Sequence, residues 1–198
     1  LIAAWLMVGV LFTGSRGALM AFIGGFAVEI CMKLSRRGER KKAVGLLIVA
    51  LLSVGIIRGF LPENLLETRF SSSSILGLNE YQSGSHNRYT IWEHAIILIK
   101  RNPVFGYGCG NFFSAIATVY RTCASHNLYI LLLVEGGIIG FGLFMSYIAK
   151  LLKNLSRFHD TSRIALLVTV LIMSCSLDSI TYKYFWIALI YARLVIRK

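Results

Sequence analysis

The sequence predicts an all-α protein, a polytopic bundle of transmembrane helices with a partly helical loop on the outer side of the membrane. The first observation is composition: of 198 residues, 56% are hydrophobic and 15% are charged. Soluble domains are about half apolar and about a quarter charged, so this chain is expected to have lipid as its main solvent. The other two observations are a series of apolar runs and the confinement of basic residues to short segments between them.

The apolar runs cover residues 1–12, 18–32, 43–60, 128–149, 164–180 and 185–196. We interpret them as six crossings, three within 1–60 and three within 128–198, separated by an outer loop over 61–127. A full crossing needs about 20 apolar residues. The first run is therefore expected to be the remnant of a longer span in a longer protein, and one of the second and sixth runs to be tilted, extended or re-entrant.

The basic residues indicate the orientation of the bundle. Residues 33–42 and 150–163 are short, strongly basic segments that hold one acidic residue each. The positive-inside rule puts both on the cytoplasmic side, and alternation then puts 13–17, 61–127 and 179–184 outside. The net charge of +12 is thus mainly an orientation signal. Because it is divided among separate short loops, it argues against a nucleic-acid partner.

Helical periodicity appears within the outer loop over residues 88–101. Steps of 100° place Trp92, Ala95, Ile96 and Ile99 around Arg88, so Arg88 is predicted at the centre of the apolar face. A guanidinium there either reaches back to the bilayer surface or points into a pocket that holds an anion. The pocket is the preferred interpretation. The helix is expected to end at Asn102 because Pro103 follows.

Glycines recur at every second position after that helix, at Gly106, Gly108 and Gly110. Such glycines permit a backbone in which successive N–H groups converge on an anion. The alternative is a tight turn beside the membrane, which the stretch by itself favours. A dinucleotide-binding fingerprint is excluded, because the stretch follows a helix and a proline rather than a strand.

His126 and Asn127 stand at the mouth of the strongest apolar run, and Glu135 lies within it. A histidine at an interface is commonly a hydrogen-bonded boundary residue, but an imidazole can also exchange protons near neutral pH. A glutamate within a membrane is expected to be neutral, paired or functional. Gly136 and Gly140 indicate close helix packing.

Arg16 lies on the short outer turn over 13–17, where the positive-inside rule disfavours a basic residue. An interfacial arginine is the simple interpretation, and an anion-binding role is the alternative. The four cysteines are widely separated and form no CxxC pair, so their spacing fixes neither a metal site nor a disulfide framework, and a pairing of Cys109 with Cys123 in an oxidising compartment stays open. No cofactor is expected either.

Four motifs occur in a characteristic order along the chain. They are SRGA from Ser15, RYTIW from Arg88, NPVFGYGCGNF from Asn102 and SHNLYILLLVEGGIIG from Ser125. Together they resemble the O-antigen ligase and polymerase family, polytopic glycosyltransferases that act on the outer face of the bacterial plasma membrane. The resemblance runs from Ser15 to the end of the span with Glu135, and corresponds to about the C-terminal half of a family member.

The resemblance implies transfer of a glycan from a polyprenyl-diphosphate carrier to a lipid, glycan or protein hydroxyl, with inversion and without a metal ion. It gives Arg16 and Arg88 the role of diphosphate-contacting arginines and His126 that of general base. The supporting positions are Gly106, Gly108, Asn127 and Glu135. The implied location is multi-pass in the bacterial inner membrane, with the active face extracytoplasmic.

Three alternatives remain open at this stage. A second SHN at Ser85, His86 and Asn87 makes His86 a competitor for the role of base. A polysaccharide exporter or other multi-pass transporter would show ionisable groups through the midplane and broken helices in matching halves. A scaffold protein with a partner-binding outer loop explains the hydrophobicity but not the outer arginines with a histidine.

Overall fold

A computed structural model describes residues 15–48 and 88–194, which fall in two compact units, Leu1–Ser85 and His86–Lys198. All regular elements in these ranges are helices, which confirms the all-α prediction. The predicted span over 1–12, most of the span over 43–60 and the first part of the outer loop, including His86, lie outside the described residues.

In the first unit, helix α1 covers Arg16–Leu34 and helix α2 covers residues 40–48. Ser15 begins α1, because its side chain accepts the backbone N–H of Ala18 at 3.3 Å. Glu29 forms an ion pair with Lys33 one turn later, at 2.6 Å, which compensates its charge within an apolar helix. Gly17–Leu34 is long and apolar enough to cross a membrane.

Within residues 88–194, the second unit contains five α-helices and one 3₁₀ turn. They are α3 (Arg88–Arg101), α4 (Phe112–Ala117), α5 (Leu128–Arg157), α6 (Thr161–Met173), the 3₁₀ turn Ser179–Thr181 and α7 (Lys183–Arg193). Helix α3 has the bounds that the periodicity predicted. Helix α4 was not predicted, because six residues are too few to show a periodic pattern.

The apolar run over 164–180 is not one continuous helix as predicted. Helix α6 ends at Met173 after 13 residues, and α7 has 11 residues. Helix α6 ends at Ser174, whose hydroxyl donates to Val170 O at 2.7 Å and also contacts the Ser179 hydroxyl at 2.8 Å. Both helices are shorter than the about 20 residues of a crossing, so their assignment as spans stays a prediction.

The basic segment predicted as a loop over 150–163 is largely helical, because α5 continues to Arg157. Lys and Arg favour helix and complement the C-terminal end of the dipole. Arg163 is buried rather than solvated. Its guanidinium pairs with Asp160 at 3.2 Å, lies 4.7 Å from the Tyr191 ring and donates to Leu194 O, which ties α6 to the end of α7.

The apolar core has two parts. One joins α3, α4 and the start of α5, and its fully buried side chains are Ile91, Leu98, Phe112, Ile116, Leu128 and Val134. The other joins the rest of α5 to α6 and α7. There Phe144 stacks on buried Phe185 with ring centroids 6.3 Å apart, next to buried Ile148 and Leu167.

Helix α5 is broken at Gly137, which has φ 59° and ψ −163°. This region of backbone conformation is essentially restricted to glycine. The lengths of α5 and α6 require a sharp bend in α5 at this residue. A straight helix of 30 residues would be about 45 Å long, but α5 runs antiparallel beside α6, which is about 20 Å long. Leu128 N–H nevertheless donates to Ser174 O at 2.9 Å, so the first nine residues of α5 must turn back toward the end of α6.

Candidate functional site

The start of α5 is fixed by Asn127. Its Oδ1 accepts the backbone N–H groups of Tyr129 at 3.0 Å and Ile130 at 3.1 Å, so Asn127 caps the helix. Its Nδ2 donates to Cys175 O at 3.1 Å, beyond the end of α6. Asn127, predicted as a supporting residue, therefore joins the start of α5 to the end of α6, which is a structural role.

Asp178 binds the residues on both sides of His126, Ser125 through its side chain and Asn127 through its backbone. One carboxylate oxygen, Oδ1, accepts the N–H of Asn127 at 3.0 Å and also the hydroxyl of Ser125. Ser125 is fully buried, so its hydroxyl needs such a partner. We call this arrangement of Ser125, Asn127 and Asp178 the carboxylate bracket.

His126 lies within the carboxylate bracket in a left-handed conformation, with φ 51°. Only a few per cent of non-glycine residues adopt a positive φ, and such strain persists when the surroundings enforce it. The side chain is half-buried, and no side chain among the described residues hydrogen-bonds its imidazole. Within the described residues, the hydrogen bonds thus hold the backbone around His126 and not its ring.

Trp92 connects α3 to the same motif. Its indole Nε1–H donates to Ser125 O at 2.9 Å across 33 residues of sequence. Arg88 lies one turn before Trp92 on α3, on the same side of the helix. The hydrogen bond therefore brings the turn with Arg88 and the residue that precedes His126 to one corner of the second unit.

The predicted placement of Arg88 at the centre of the buried face is wrong. The buried residues of α3 are Ile91, Ala95 and Leu98, and Arg88 is exposed. The packed face is rotated by about 50° from the predicted one, because α3 packs with that side against α4 and α5. Ile96, which was assigned to the apolar face, is 47% exposed.

The glycine stretch forms a turn whose first N–H groups donate to carbonyl groups of the protein. Tyr107 N–H donates to Val134 O at 2.9 Å, and Gly108 N–H donates to Glu135 O at 2.8 Å. The Gly106 N–H donates to Asn102 O at 3.2 Å, so these three donors are engaged within the protein, which favours the tight turn over the anion site. Glu135 accepts the N–H of Phe112 at 3.1 Å through Oε1, which stabilises the start of α4.

Of the remaining predicted site residues, Arg16 is the first residue of α1 in the first unit. Arg88 and His126 both lie in the second unit, and the hydrogen bond from Trp92 brings their segments together. Among the residues that the structure describes, no group of three His, Cys, Asp or Glu side chains is arranged to hold a metal ion.

Sequence reasoning missed Asp178 and Trp92 as parts of the site. Asp178 gave a weak signal, because an acidic residue at the outer end of an apolar run needs a partner. The sequence contained no signal for Trp92 beyond its place on a helical face. The partner of each lies 33 residues or more away, beyond the reach of local patterns.

Comparison with known proteins identifies the family. A family model described as O-antigen ligase matches residues 1–145. The matched range contains Arg16, Arg88 and His126 and ends before Asp178. Neither a curated protein nor a solved structure matches the chain.

Proposed function

The chain belongs to the O-antigen ligase family, and we propose that it transfers a glycan from a polyprenyl-diphosphate carrier to an acceptor hydroxyl at the outer face of the bacterial inner membrane. Family membership and two apolar helices of membrane-crossing length support a membrane protein of glycan-ligase type. The carrier, the multi-pass topology and the outward active face belong to the proposal. Ligase, polymerase and protein transferase differ only in the acceptor.

The conformation of His126 is the observation that carries the proposal. Three hydrogen-bonding groups of the carboxylate bracket hold this residue at a positive φ, and its imidazole has no partner in the described residues. Backbone strain of this kind collects at sites where a side chain must be aimed. His159 shares the positive φ, so what sets His126 apart is the combination of this φ with the carboxylate bracket and the family motif.

In the proposed reaction, the acceptor hydroxyl oxygen attacks the anomeric carbon of the donor sugar. The proton of that hydroxyl passes to the imidazole of His126, and general bases of this kind contribute about 10² to 10⁴-fold in rate. The bond between the anomeric carbon and the diphosphate oxygen breaks, and its electron pair leaves with the diphosphate. Attack opposite the leaving group inverts the anomeric configuration.

Arg88 is proposed to bind the departing diphosphate. Its guanidinium is exposed at the first turn of α3, and a planar fork matches two phosphate oxygens. Charge on the leaving oxygen grows as the bond breaks, so these contacts strengthen in the transition state and lower the barrier. Arg16 is proposed to supply a second guanidinium to the diphosphate, on the strength of the family motif.

A transporter is the second candidate, because a broken membrane helix such as α5 is a feature of many transporters. In those proteins the unwound backbone coordinates the ion or the substrate. Here the carbonyl groups of Val134 and Glu135 at the break already accept N–H groups of the loop. The break therefore favours a fixed scaffold over an ion site, and the transferase is preferred.

The test uses the full-length protein in nanodiscs with a polyprenyl-diphosphate glycan and measures release of the carrier diphosphate. His126→Asn is the informative variant, because asparagine tolerates the left-handed conformation but is not a base at neutral pH. His159→Asn is the matched control, since His159 is exposed and has φ 58°. We expect release by the wild type and the control, and none by His126→Asn or His126→Ala.

Two results would contradict the proposal. Transfer at the wild-type rate by His126→Asn would remove this residue as the base and turn attention to His86. Glycan movement across the bilayer without any release of carrier diphosphate would favour the exporter.

A further inference from the structure

The loop that follows α3 is inserted into the break of α5. In a continuous helix the N–H groups of Ile138 and Ile139 would donate to the carbonyl groups of Val134 and Glu135. The break at Gly137 separates these four groups. Ile138 N–H instead donates to Pro103 O at 2.9 Å and Ile139 N–H to Val104 O at 3.3 Å.

The two carbonyl groups are satisfied by the same loop. Val134 O accepts from Tyr107 N–H at 2.9 Å and Glu135 O from Gly108 N–H at 2.8 Å. Two helical hydrogen bonds are thus replaced by four bonds to residues 103–108. We call this arrangement of residues 103–108 and 134–139 the glycine clasp.

Two glycines make the glycine clasp possible, and each is enclosed by the opposite segment. A Cβ at Gly106 would lie 2.5 Å from Val134 O and 2.6 Å from the Glu135 carbonyl. A Cβ at Gly137 would collide with the Val104 carbonyl and lie 2.7 Å from Phe105 N. Both residues also have a positive φ, at 66° and 59°. Neither position accepts a side chain while the segments stay in contact.

Helix α3 and residues 128–136, the first part of α5, lie side by side. The glycine clasp joins them at one end, and Trp92 joins them at the other. The segment after α3 is held to the end of the first part of α5, and Trp92 near the start of α3 is held to Ser125 just before α5. Helix α3 and residues 128–136 are therefore joined at both ends. Arg88 belongs to the first of these segments, and His126 immediately precedes the second.

We propose that the glycine clasp fixes the spacing between Arg88 and His126, so that Gly106 and Gly137 are positioning residues for glycan transfer. The inference rests on the proposed function, because it assigns the two side chains to the diphosphate and the acceptor proton. Without the clasp, the first part of α5 pivots about Gly137 while Arg88 still binds its phosphate. Misplacement by about 1 Å costs about 100-fold in rate.

The test compares alanine variants of the full-length protein in nanodiscs. Gly106→Ala strains the backbone and collides with α5. Gly110→Ala is its matched control, since φ there is 78° and no atom lies within 4 Å of the new Cβ. Gly137→Ala is paired with Gly140→Ala on the same helix, where the described residues also leave open space.

Two measurements are made on each variant. The first is hydrogen exchange at the amides of Tyr107, Gly108, Ile138 and Ile139, which reports the glycine clasp without reference to activity. The second is the kcat and the donor KM of carrier-diphosphate release. We expect Gly106→Ala and Gly137→Ala to lose amide protection and about 100-fold in kcat, with donor KM within about threefold of wild type. Both controls are expected to resemble wild type.

The separation of kcat from KM distinguishes positioning from general damage. A wild-type kcat in Gly106→Ala together with lost amide protection would overturn the positioning role and leave the proposed function intact. A loss of kcat in Gly110→Ala equal to that in Gly106→Ala would also overturn it. Failure of the proposed function is seen separately, as absence of release by the wild type.

A milder variant covers the case in which Gly106→Ala does not accumulate in the membrane. Gly108 has φ 93°, and a Cβ there would meet the flexible Asn111 side chain at 3.1 Å and no backbone. Gly108→Ala is thus expected to strain the backbone at the N–H that donates to Glu135 O. We expect its kcat to lie between those of wild type and Gly106→Ala. Wild-type kcat with reduced protection of Gly108 would again contradict the proposal.

Discussion

Asp178 accepts the backbone N–H of Asn127 at 3.0 Å, across 51 residues of sequence. The same carboxylate oxygen accepts the buried hydroxyl of Ser125. His126, between these two residues, therefore depends on a turn between α6 and α7 for its backbone conformation. The Asp178 carboxylate, in the turn between α6 and α7, thus holds both sequence neighbours of the residue proposed as the base.

Asp178→Ala is predicted to reduce glycan transfer by about 100-fold, because His126 is no longer held in place. It also removes the shared acceptor of two groups that each keep a second one, since the Ser125 hydroxyl also donates to Asn127 O at 2.9 Å and the Asn127 N–H to Ser125 Oγ at 3.2 Å. The expected loss of stability is therefore that of ordinary hydrogen bonds, about 0.5–1.5 kcal/mol each. Asp178→Asn keeps one oxygen acceptor and should lose less. The measurements are carrier-diphosphate release and the Tm in detergent, with exposed Lys183→Ala as the control. An active Asp178→Ala protein with lowered Tm would make the carboxylate bracket purely structural.

Arg88→Lys is predicted to reduce transfer by about tenfold to 100-fold. An ammonium retains the charge but cannot form the two parallel hydrogen bonds of a guanidinium, and charge-assisted hydrogen bonds contribute about 1.5–3 kcal/mol. Arg101→Lys, at the exposed far end of the same helix, is the matched control. The measurement is kcat/KM for the polyprenyl-diphosphate donor. Full activity of Arg88→Lys would exclude the diphosphate role.

Trp92→Phe is predicted to weaken the connection between α3 and the SHN motif while the aromatic packing is retained. The variant loses the hydrogen bond to Ser125 O, whose net contribution is about 0.5–1.5 kcal/mol. We expect a lower Tm and a kcat that falls more than donor KM changes. Exchange at the amide of Asn127 would report the loosened motif. Unchanged exchange would show that Trp92 does not stabilise it.

The two cysteines between α3 and α5 are predicted to differ in their reaction with a maleimide. Burial raises the pKa of the Cys123 thiol, with Arg121 acting in the opposite direction, whereas Cys109 is exposed. A raised pKa means that thiolate, the reactive form, appears only at higher pH. Cys109 should therefore be modified first near neutral pH, and Cys123 should gain reactivity as pH rises. Peptide mass spectrometry of a pH series measures both rates, and equal rates would contradict the prediction.

The membrane orientation predicted from the basic segments can be tested with two single-cysteine variants of a cysteine-free protein, each with its cysteine at an exposed position. Lys41→Cys lies in the segment assigned to the cytoplasm, and Arg121→Cys lies in the outer loop. We expect a membrane-impermeant thiol reagent to label position 121 in intact spheroplasts and position 41 only after permeabilisation. The reverse pattern would invert the predicted topology.

Local patterns were sufficient for the helix over Arg88–Arg101. Apolar residues recur at helical spacing, and Pro103 prevents the helix from continuing. The same pattern did not identify the packed face, because Arg88 borders several apolar positions and burial depends on which side meets α4 and α5. The apolar run over 164–180 likewise did not reveal that Ser174 ends its helix.

The glycine stretch shows why alternatives could not be separated without the fold. Positive-φ glycines are compatible with an anion site or with a close approach of two backbones, and both use the same N–H groups. The distant carbonyl groups of Val134 and Glu135 decide between them. The sequence also gave no reason to single out Gly137 among its neighbouring glycines.

By itself, the sequence determined the all-α class, the apolar character of the long helices and the family, because composition, helical period and ordered motifs are local properties. The tertiary structure decided which residues act together. The carboxylate bracket around His126 and the glycine clasp consist of hydrogen bonds between segments far apart in the chain. Such partners are chosen by three-dimensional packing and by the need to satisfy every buried polar group, which no local pattern encodes.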